Sequence, residues 1–276
     1  MKIKLINILL LLIALFPLKW LYFLAKLIRV LNMWFIKYRL EILEKNIQFS
    51  FPLFKKKERH LLLTNFYIEF SNTIVEIIKS IKLSEQDIIN RIEIKNESVL
   101  QKNIKNKKPF IFICGHYANL EWLALRLSLI PNINLSAVYK PLSNKNLNEL
   151  LVKIRSKFGA KLITLNKWKY FILKNKKKPY SFMFVADQVP ENKNNGIRIN
   201  FLNQSTLFHT GPEKTAKLLK SEIFYIEMLK IKRGYYTVEF KKISSKNITK
   251  EYAGLLEKTI TKNPASWLWS HNRWKR

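Results

Sequence analysis

From residue 110 onward, short apolar runs and helical stretches take turns, and no other feature of the sequence narrows the fold as far. "FIFIC" (110–114) reads as a short buried strand, and "LEWLALRLSLI" (120–130) as a helix that Pro131 ends. "LSAVYK" (135–140) is a strand, followed by a helix near 146–157, a strand at "AKLIT" (160–164), a helix around 167–174 and a strand at "SFMFVAD" (181–187). Strands joined through helices run parallel, so the expected class is α/β, with a mostly parallel sheet flanked by helices. Upstream, "HLLLTNFYIEFSNTIVEIIKSIK" (60–82) predicts a helix, and residues 248–262 predict a last one. "EIFYIEMLKI" and "YYTVEFKKI", separated by Lys232, Arg233 and Gly234, predict an antiparallel hairpin appended to the sheet. There is no internal repeat and no long linker.

Sheets of this kind meet their ligands at the carboxyl ends of the strands. Two apolar runs end there in polar residues, "FIFIC" in Gly115-His116 and "SFMFVA" in Asp187-Gln188. In "ICGHYANLEW" (113–122), Glu121 follows His116 by five positions. Inside one helix that offset turns the side chains apart by about 140°. With His116 in the loop before the helix and Glu121 in its first turn, carboxylate and imidazole can meet. A carboxylate that accepts one imidazole N–H fixes the tautomer and leaves the other nitrogen free to take a proton from a hydroxyl. The bland reading, a polar edge where a strand turns into a helix, stays open at this point. Cys114, at the end of an apolar strand, is expected to pack rather than act as a nucleophile.

At the N-terminus, Lys2 and Lys4 precede "LINILLLLIALFPL" (5–18). The continuation "KWLYFLAKLIRVLNMWFIK" has no small-x-small cleavage site, so an uncleaved anchor is expected. A helix over residues 5–25 would be about 31 Å long against an apolar bilayer core of about 30 Å, enough to span. Alternatively, Lys19, Lys26, Arg29 and Lys37 share one helical face, with Trp20, Phe23, Leu24, Leu27, Ile28 and Leu31 largely elsewhere, the pattern of a helix lying in an anionic interface. A buried helix is the third reading. The expected division is residues 1–36 as anchor and 37–276 as the α/β domain, with the basic residues after the apolar run favouring the cytoplasmic side.

The formal charge of +31, from 50 basic and 19 acidic residues, favours polyanions in general. Lysine is spread along the whole chain, and no zinc-finger, RNP or basic-zipper pattern accompanies it, so nucleic acid is not the expected partner. One cysteine forms no intrachain disulfide, and the scattered His60, His209 and His271 support no metal site.

The stretch "GHYANLEW" resembles the "GHxGNWE" block of the bacterial lipid A late acyltransferases, the lauroyl/myristoyl family within the H-x4-D/E acyltransferases. The resemblance continues in order through "VYKPLSNKNLNELLVKIRS" (138–156), "ADQ" (186–188) with Gly196, "FLNQSTLFHTGPEKTAKLL" (201–219) and "WLWSHNRWKR" (267–276). Ala118 and Asn203 stand where the pattern has glycine, Leu120 where it has tryptophan and Lys140 where it has arginine. The resemblance implies a glycerolipid-acyltransferase-like fold and transfer of a fatty acyl group from an acyl carrier protein thioester to a hydroxyl of a lipid A precursor. It places the enzyme at the inner membrane with its catalytic domain on the cytoplasmic side, and implies no cofactor. His116 is then the general base and Glu121 its orienting partner, while Arg155 and Asp187 join the site as substrate-binding residues, the fixed donor fork of Arg155 suiting either a phosphate or developing oxyanion charge. Asp187 is left between two tasks, holding Arg155 or positioning substrate. Without the resemblance, Arg155 reads as a solvated helix residue and Asp187 as a strand-end cap. Two further readings remain: a different membrane lipid as acceptor, and a non-catalytic basic protein bound to membrane or RNA.

Overall fold

The computed structural model describes residues 2–190 and 196–274. Its centre is a seven-stranded sheet ordered β1 (Ile92–Ile94), β9 (Tyr235–Lys242), β8 (Glu222–Lys232), β2 (Phe110–Cys114), β5 (Tyr180–Val185), β3 (Asn134–Tyr139) and β4 (Lys161–Thr164). Every neighbouring pair is parallel except β8 with β9. The expected α/β class therefore holds. All five residues of β2 are buried. Ile111 and Ile113 face one core with Phe182, Phe184, Ile223 and Tyr225. Phe110, Phe112 and Cys114 face the other with Met183, Phe224 and Ile226. A strand covered on both faces has no solvent side, which is why its sequence is apolar without alternation.

The hairpin is not an appendage. β8 pairs with β2 from Phe110↔Glu222 to Ile113↔Tyr225, so it lies inside the sheet. Its run from Ile223 to Met228 is wholly buried, and such a strand needs a neighbour on each side and cover on both faces. A separate two-stranded antiparallel ribbon, β6 (Gly196–Phe201) with β7 (Gln204–His209), lies outside the main sheet.

Among the described residues, the chain opens with α1 (Lys2–Leu15), α2 (Leu18–Leu31), a π-helical turn (Asn32–Ile36) and α3 (Leu40–Ser50), before the long α4 (Lys56–Lys79). The short α5 (Glu85–Arg91) and α6 (Gln101–Lys105) lead into the sheet. The crossovers are α7 (Leu120–Ser128), α8 (Lys145–Arg155) and α9 (Trp168–Lys174), and α10 (Gly211–Leu219) and α11 (Ile248–Lys262) complete the helices.

The continuous helix over 5–25 does not form, because Pro17 has no N–H to donate and its φ of −56° comes with an extended ψ of 146°. The corner is fastened by Lys79, whose Nζ donates to the carbonyls of Ala14 and Phe16, 2.9 Å each. Each 14-residue arm is about 21 Å long, short of the bilayer core. α2 has three faces: Leu18, Leu21 and Ala25 are buried, Trp20, Phe23, Leu27 and Leu31 are exposed, and Lys19 and Lys26 lie on the flank between. The apolar exposure continues into Trp34 (72%) and Phe35 (77%). Among the described residues, the one helix long and apolar enough to cross a membrane is α4, whose Leu62, Leu63, Phe66, Tyr67 and Val75 are core residues.

Candidate active site

The central parallel pair decides where the polar residues meet. Cys114 on β2 pairs with Val185 on β5, and the Ala186 N–H still donates to the Cys114 carbonyl at 3.0 Å. Two residues further along each strand stand His116 and Asp187, so equal steps bring them side by side. The His116 Nδ1 lies 2.6 Å from Asp187 Oδ1, and the His116 backbone N–H donates to Oδ2 at 2.8 Å. The Trp267 indole N–H donates to the same Oδ2 at 2.8 Å. Asp187 is 2% exposed, and burial alone would raise its pKa. The His116 charge and these three hydrogen bonds outweigh burial and hold it at about 2. Beside an ionised, acceptor-only Asp187, the proton of a neutral His116 ring sits on Nδ1, which leaves a lone pair on Nε2. Glycine at 115 permits the approach, since a Cβ there would sit 2.7 Å from Leu256 Cδ1 and 3.1 Å from Asp187 Oδ2.

Glu121 is not the partner of His116. It lies in the first turn of α7 and faces α8, where Arg155 donates Nε to Oε2 at 2.7 Å and Nη2 to Oε1 at 2.6 Å. The bidentate fork takes both carboxylate oxygens. Burial would lower the Arg155 pKa, but Glu121 more than offsets it and the net shift is upward. The four residues picked from sequence are thus brought together in two pairs, His116 with Asp187 and Glu121 with Arg155. The register of the parallel strands, which spacing along the chain does not reveal, sets that division.

Neither His116 nor Glu121 stands alone. The chain from Gly115 to Asn119 turns tightly, with Ala118 at φ +55° and its N–H donating to Ser266 O at 2.9 Å. Leu268 N–H donates to the His116 carbonyl at 2.9 Å, and Tyr117 bridges Trp267. Residues 264–273 therefore strap the turn from outside. Asn46 holds the strap through Nδ2 to the carbonyls of Trp269 and His271, and Arg39 through Nη1 to Ser270 O. On the inner side, Asn119 caps α7 by accepting from Trp122 N–H at 3.0 Å, while its Nδ2 donates to Glu76 Oε2 at 2.8 Å. Glu76, fully buried on α4, also accepts from Tyr22 on α2 and Tyr236 on β9. Burial raises its pKa against these donors. A lone acid inside the apolar run "NTIVEIIKS" was its sequence signal. Trp267 and Arg273 gave none beyond their place in a Trp-rich stretch. Arg273 is 3% exposed, stacked over Phe208 at 4.8 Å and bonded to Leu207 O, and burial lowers its pKa to about 10.

Cys114 is buried, and burial, reinforced by Asp187, raises its thiol pKa, so it is no thiolate nucleophile. His60 and His209 join no cluster of metal-ligating side chains among the described residues.

His116, Glu121, Arg155 and Gln188 open on one groove of about 2020 Å³. Its walls include the apolar Leu120, Ala137, Leu162, Ile172, Met183 and Phe184, with Lys140, Lys169, Arg198 and Lys214 among its cations. A base at the edge of an apolar trough with cations around it suits proton removal from a hydroxyl on an amphiphilic, anionic substrate. The family described as bacterial lipid A biosynthesis acyltransferase matches residues 2–276, nearly the whole chain. No curated protein matches.

Proposed function

We propose that this chain, which belongs to the bacterial lipid A biosynthesis acyltransferase family and is thus an acyltransferase, moves a fatty acyl group from an acyl carrier protein thioester to a hydroxyl of a lipid A precursor. The observation that carries the mechanism is the His116–Asp187 contact, 2.6 Å, at the edge of the apolar groove. The acceptor hydroxyl approaches Nε2, its oxygen attacks the thioester carbonyl, and its proton passes to Nε2. Asp187 stabilises the imidazolium that results. Collapse of the tetrahedral intermediate breaks the carbon–sulfur bond, and the departing thiolate takes the proton back from Nε2. No covalent enzyme intermediate and no cofactor enter the scheme. Arg155, oriented by Glu121, retains Nη1 for a phosphate of the substrate.

Residues 1–36 serve as the membrane-anchoring segment and 37–276 as the acyltransferase domain, on the cytoplasmic face of the inner membrane. Support comes from the exposed apolar face of α2 and the following turn, flanked by lysines, which fits a helix embedded in an anionic interface. The acidic carrier and the phosphorylated acceptor both suit a chain of charge +31.

The test is acyl transfer by purified protein, followed by mass spectrometry of the lipid product with a glycerophospholipid as the competing acceptor. His116→Ala is expected to lower the rate about 100- to 10,000-fold or below detection. Near-normal transfer by a His116→Ala protein that melts like the parent removes His116 as the base.

A further inference from the structure

Gln188 has no part in the scheme above, yet its side chain is the one that meets the reactive nitrogen. Its amide lies 3.2 Å from His116 Nε2. Because Asp187 holds the ring proton on Nδ1, Nε2 presents a lone pair, and only a donor can face it. The group turned toward the base is therefore the Gln188 NH₂, and its orientation follows from the tautomer. The backbone around it is fixed on both sides: Ala186 N–H donates to Cys114 O at 3.0 Å, and Val189 N–H donates to His271 Nε2 at 3.4 Å. That last bond needs a neutral imidazole, and burial lowers the His271 pKa to about 4.

An acceptor hydroxyl that reaches Nε2 displaces the Gln188 amide from it. The attacking oxygen and the carbonyl oxygen of the thioester then share one carbon. A donor that had stood within hydrogen-bond distance of the base is thereby left beside the oxygen on which negative charge develops. The Arg155 guanidinium is committed to Glu121 through Nε and Nη2, so its charge is already partly neutralised. Resting on the acyl-transfer reading above, we propose that Gln188 is a catalytic residue whose side-chain N–H groups receive the thioester oxygen as it becomes an oxyanion. During attack, the new carbon–oxygen bond forms, the carbonyl π pair moves onto that oxygen, and the hydroxyl proton goes to Nε2. During collapse, the pair returns, the carbon–sulfur bond breaks and the thiolate leaves with the proton from Nε2. Gln188 then returns to Nε2, which shields the base between turnovers.

The experiment compares parent, Gln188→Met, Gln188→Asn and Gln188→Glu as full chains with an acyl carrier protein thioester and a lipid A precursor, reading kcat and the acceptor KM separately. Gln188→Met keeps the length and loses the donors. Its kcat is expected to fall about 100- to 1,000-fold, the usual effect of deleting one oxyanion donor, with KM changed less than roughly threefold. Gln188→Asn keeps the amide but withdraws it, and should fall between Met and the parent; it carries the comparison if the Met protein melts below the assay temperature. Gln188→Glu sets a carboxylate against Nε2, so the acid limb of its kcat/KM profile should move to higher pH, which a merely structural residue would not cause. A kcat within roughly threefold of the parent for Gln188→Met, a kcat that rises, or a loss confined to KM overturns the proposal. The parent reports separately on the acyl-transfer reading: if it transfers nothing to the lipid A precursor, that reading fails and takes this role of Gln188 with it.

Discussion

The two carboxylates of the site are distinguishable by what they hold. Asp187→Asn removes the acceptor that fixes the His116 tautomer, so kcat is expected to drop about 100- to 10,000-fold, with no further loss when combined with His116→Ala. Glu121→Gln instead leaves Arg155 with a weakened partner. Its expected effects are a raised acceptor KM and a lower melting temperature, both adding to those of His116→Ala because the two pairs share no hydrogen bond. Double-mutant cycles in kcat, KM and thermal unfolding check both. A second residue-scale prediction concerns Ala118, in the left-handed region at φ +55°. Alanine tolerates that backbone at a cost, but a β-branched side chain there is a true outlier. Ala118→Val should destabilise by at least about 1–2 kcal/mol, roughly 2–8 °C in melting temperature for a chain of this size. At this scale the sequence exposed the participants but not their pairing. Gly115-His116 and Asp187-Gln188 were legible as strand ends, and the two glycine-pattern departures, Ala118 and Asn203, do fall at positive φ, +55° and +60°. Which carboxylate serves the imidazole depends on strand order and register, which no spacing along the chain encodes.

Among the elements, the N-terminal helices do two jobs at once. Leu18, Leu21 and Ala25 are part of the core, and the Tyr22 hydroxyl donates to Glu76, which in turn receives Asn119 next to the His116 turn. Removing residues 1–31 would take away several kcal/mol of apolar burial, a large share of the usual 5–15 kcal/mol. That truncation is expected to give a protein that melts lower or aggregates, and not a clean soluble domain. Phe23→Glu with Leu27→Glu changes only exposed side chains. It should leave the melting temperature nearly unchanged while weakening co-sedimentation with vesicles of anionic lipid. Release of the protein by the truncation without thermal destabilisation would contradict the packing role. Pattern reading succeeded for β2, β3, β4 and β5, whose runs are apolar and bounded by turn residues. It missed β1, only three residues long, and the ribbon of β6 and β7, where "GIRINF" and "QSTLFH" place polar residues among few apolar ones. It assigned β8 to an appended hairpin, because continuous apolarity says that a strand is buried and not between which neighbours.

Over the whole molecule, the site is braced from two distant parts of the chain, α2 through Glu76 and the strap of residues 264–273 through Trp267, Leu268 and His271. The strap gives the fold a pH dependence. An unfolded imidazole takes up its proton near 6.5, whereas burial keeps that of His271 from doing so until about pH 4. As pH falls, the unfolded state therefore binds the proton first, so the stabilisation is complete above 6.5 and is lost progressively toward 4. Glu76, whose pKa burial raises, works in the opposite sense over the same range, so the His271 share is read as the difference in melting temperature between the parent and His271→Asn, which should narrow as pH falls from 6.5 toward 4. Asp187, held at about 2, contributes to acid sensitivity only below its ordinary range and leaves this window undisturbed. Within the Trp-rich C-terminal stretch, Trp267 and Trp269 are buried and close the core, while Trp274 is half-buried and lines the groove.

Because a ribosome makes the chain in one direction, the parts of this site come into being at different times. α1 and α2 are translated before the His116 turn and Asp187, and residues 264–273 after every other element described. Domains begin to fold as they emerge. A nascent chain that has made α1, α2 and both strand ends thus still lacks the indole that holds Asp187, the amide that holds the His116 carbonyl, and the imidazole that holds Val189. The polar contacts that fix the His116 turn are therefore complete only after residues 264–273 have been made.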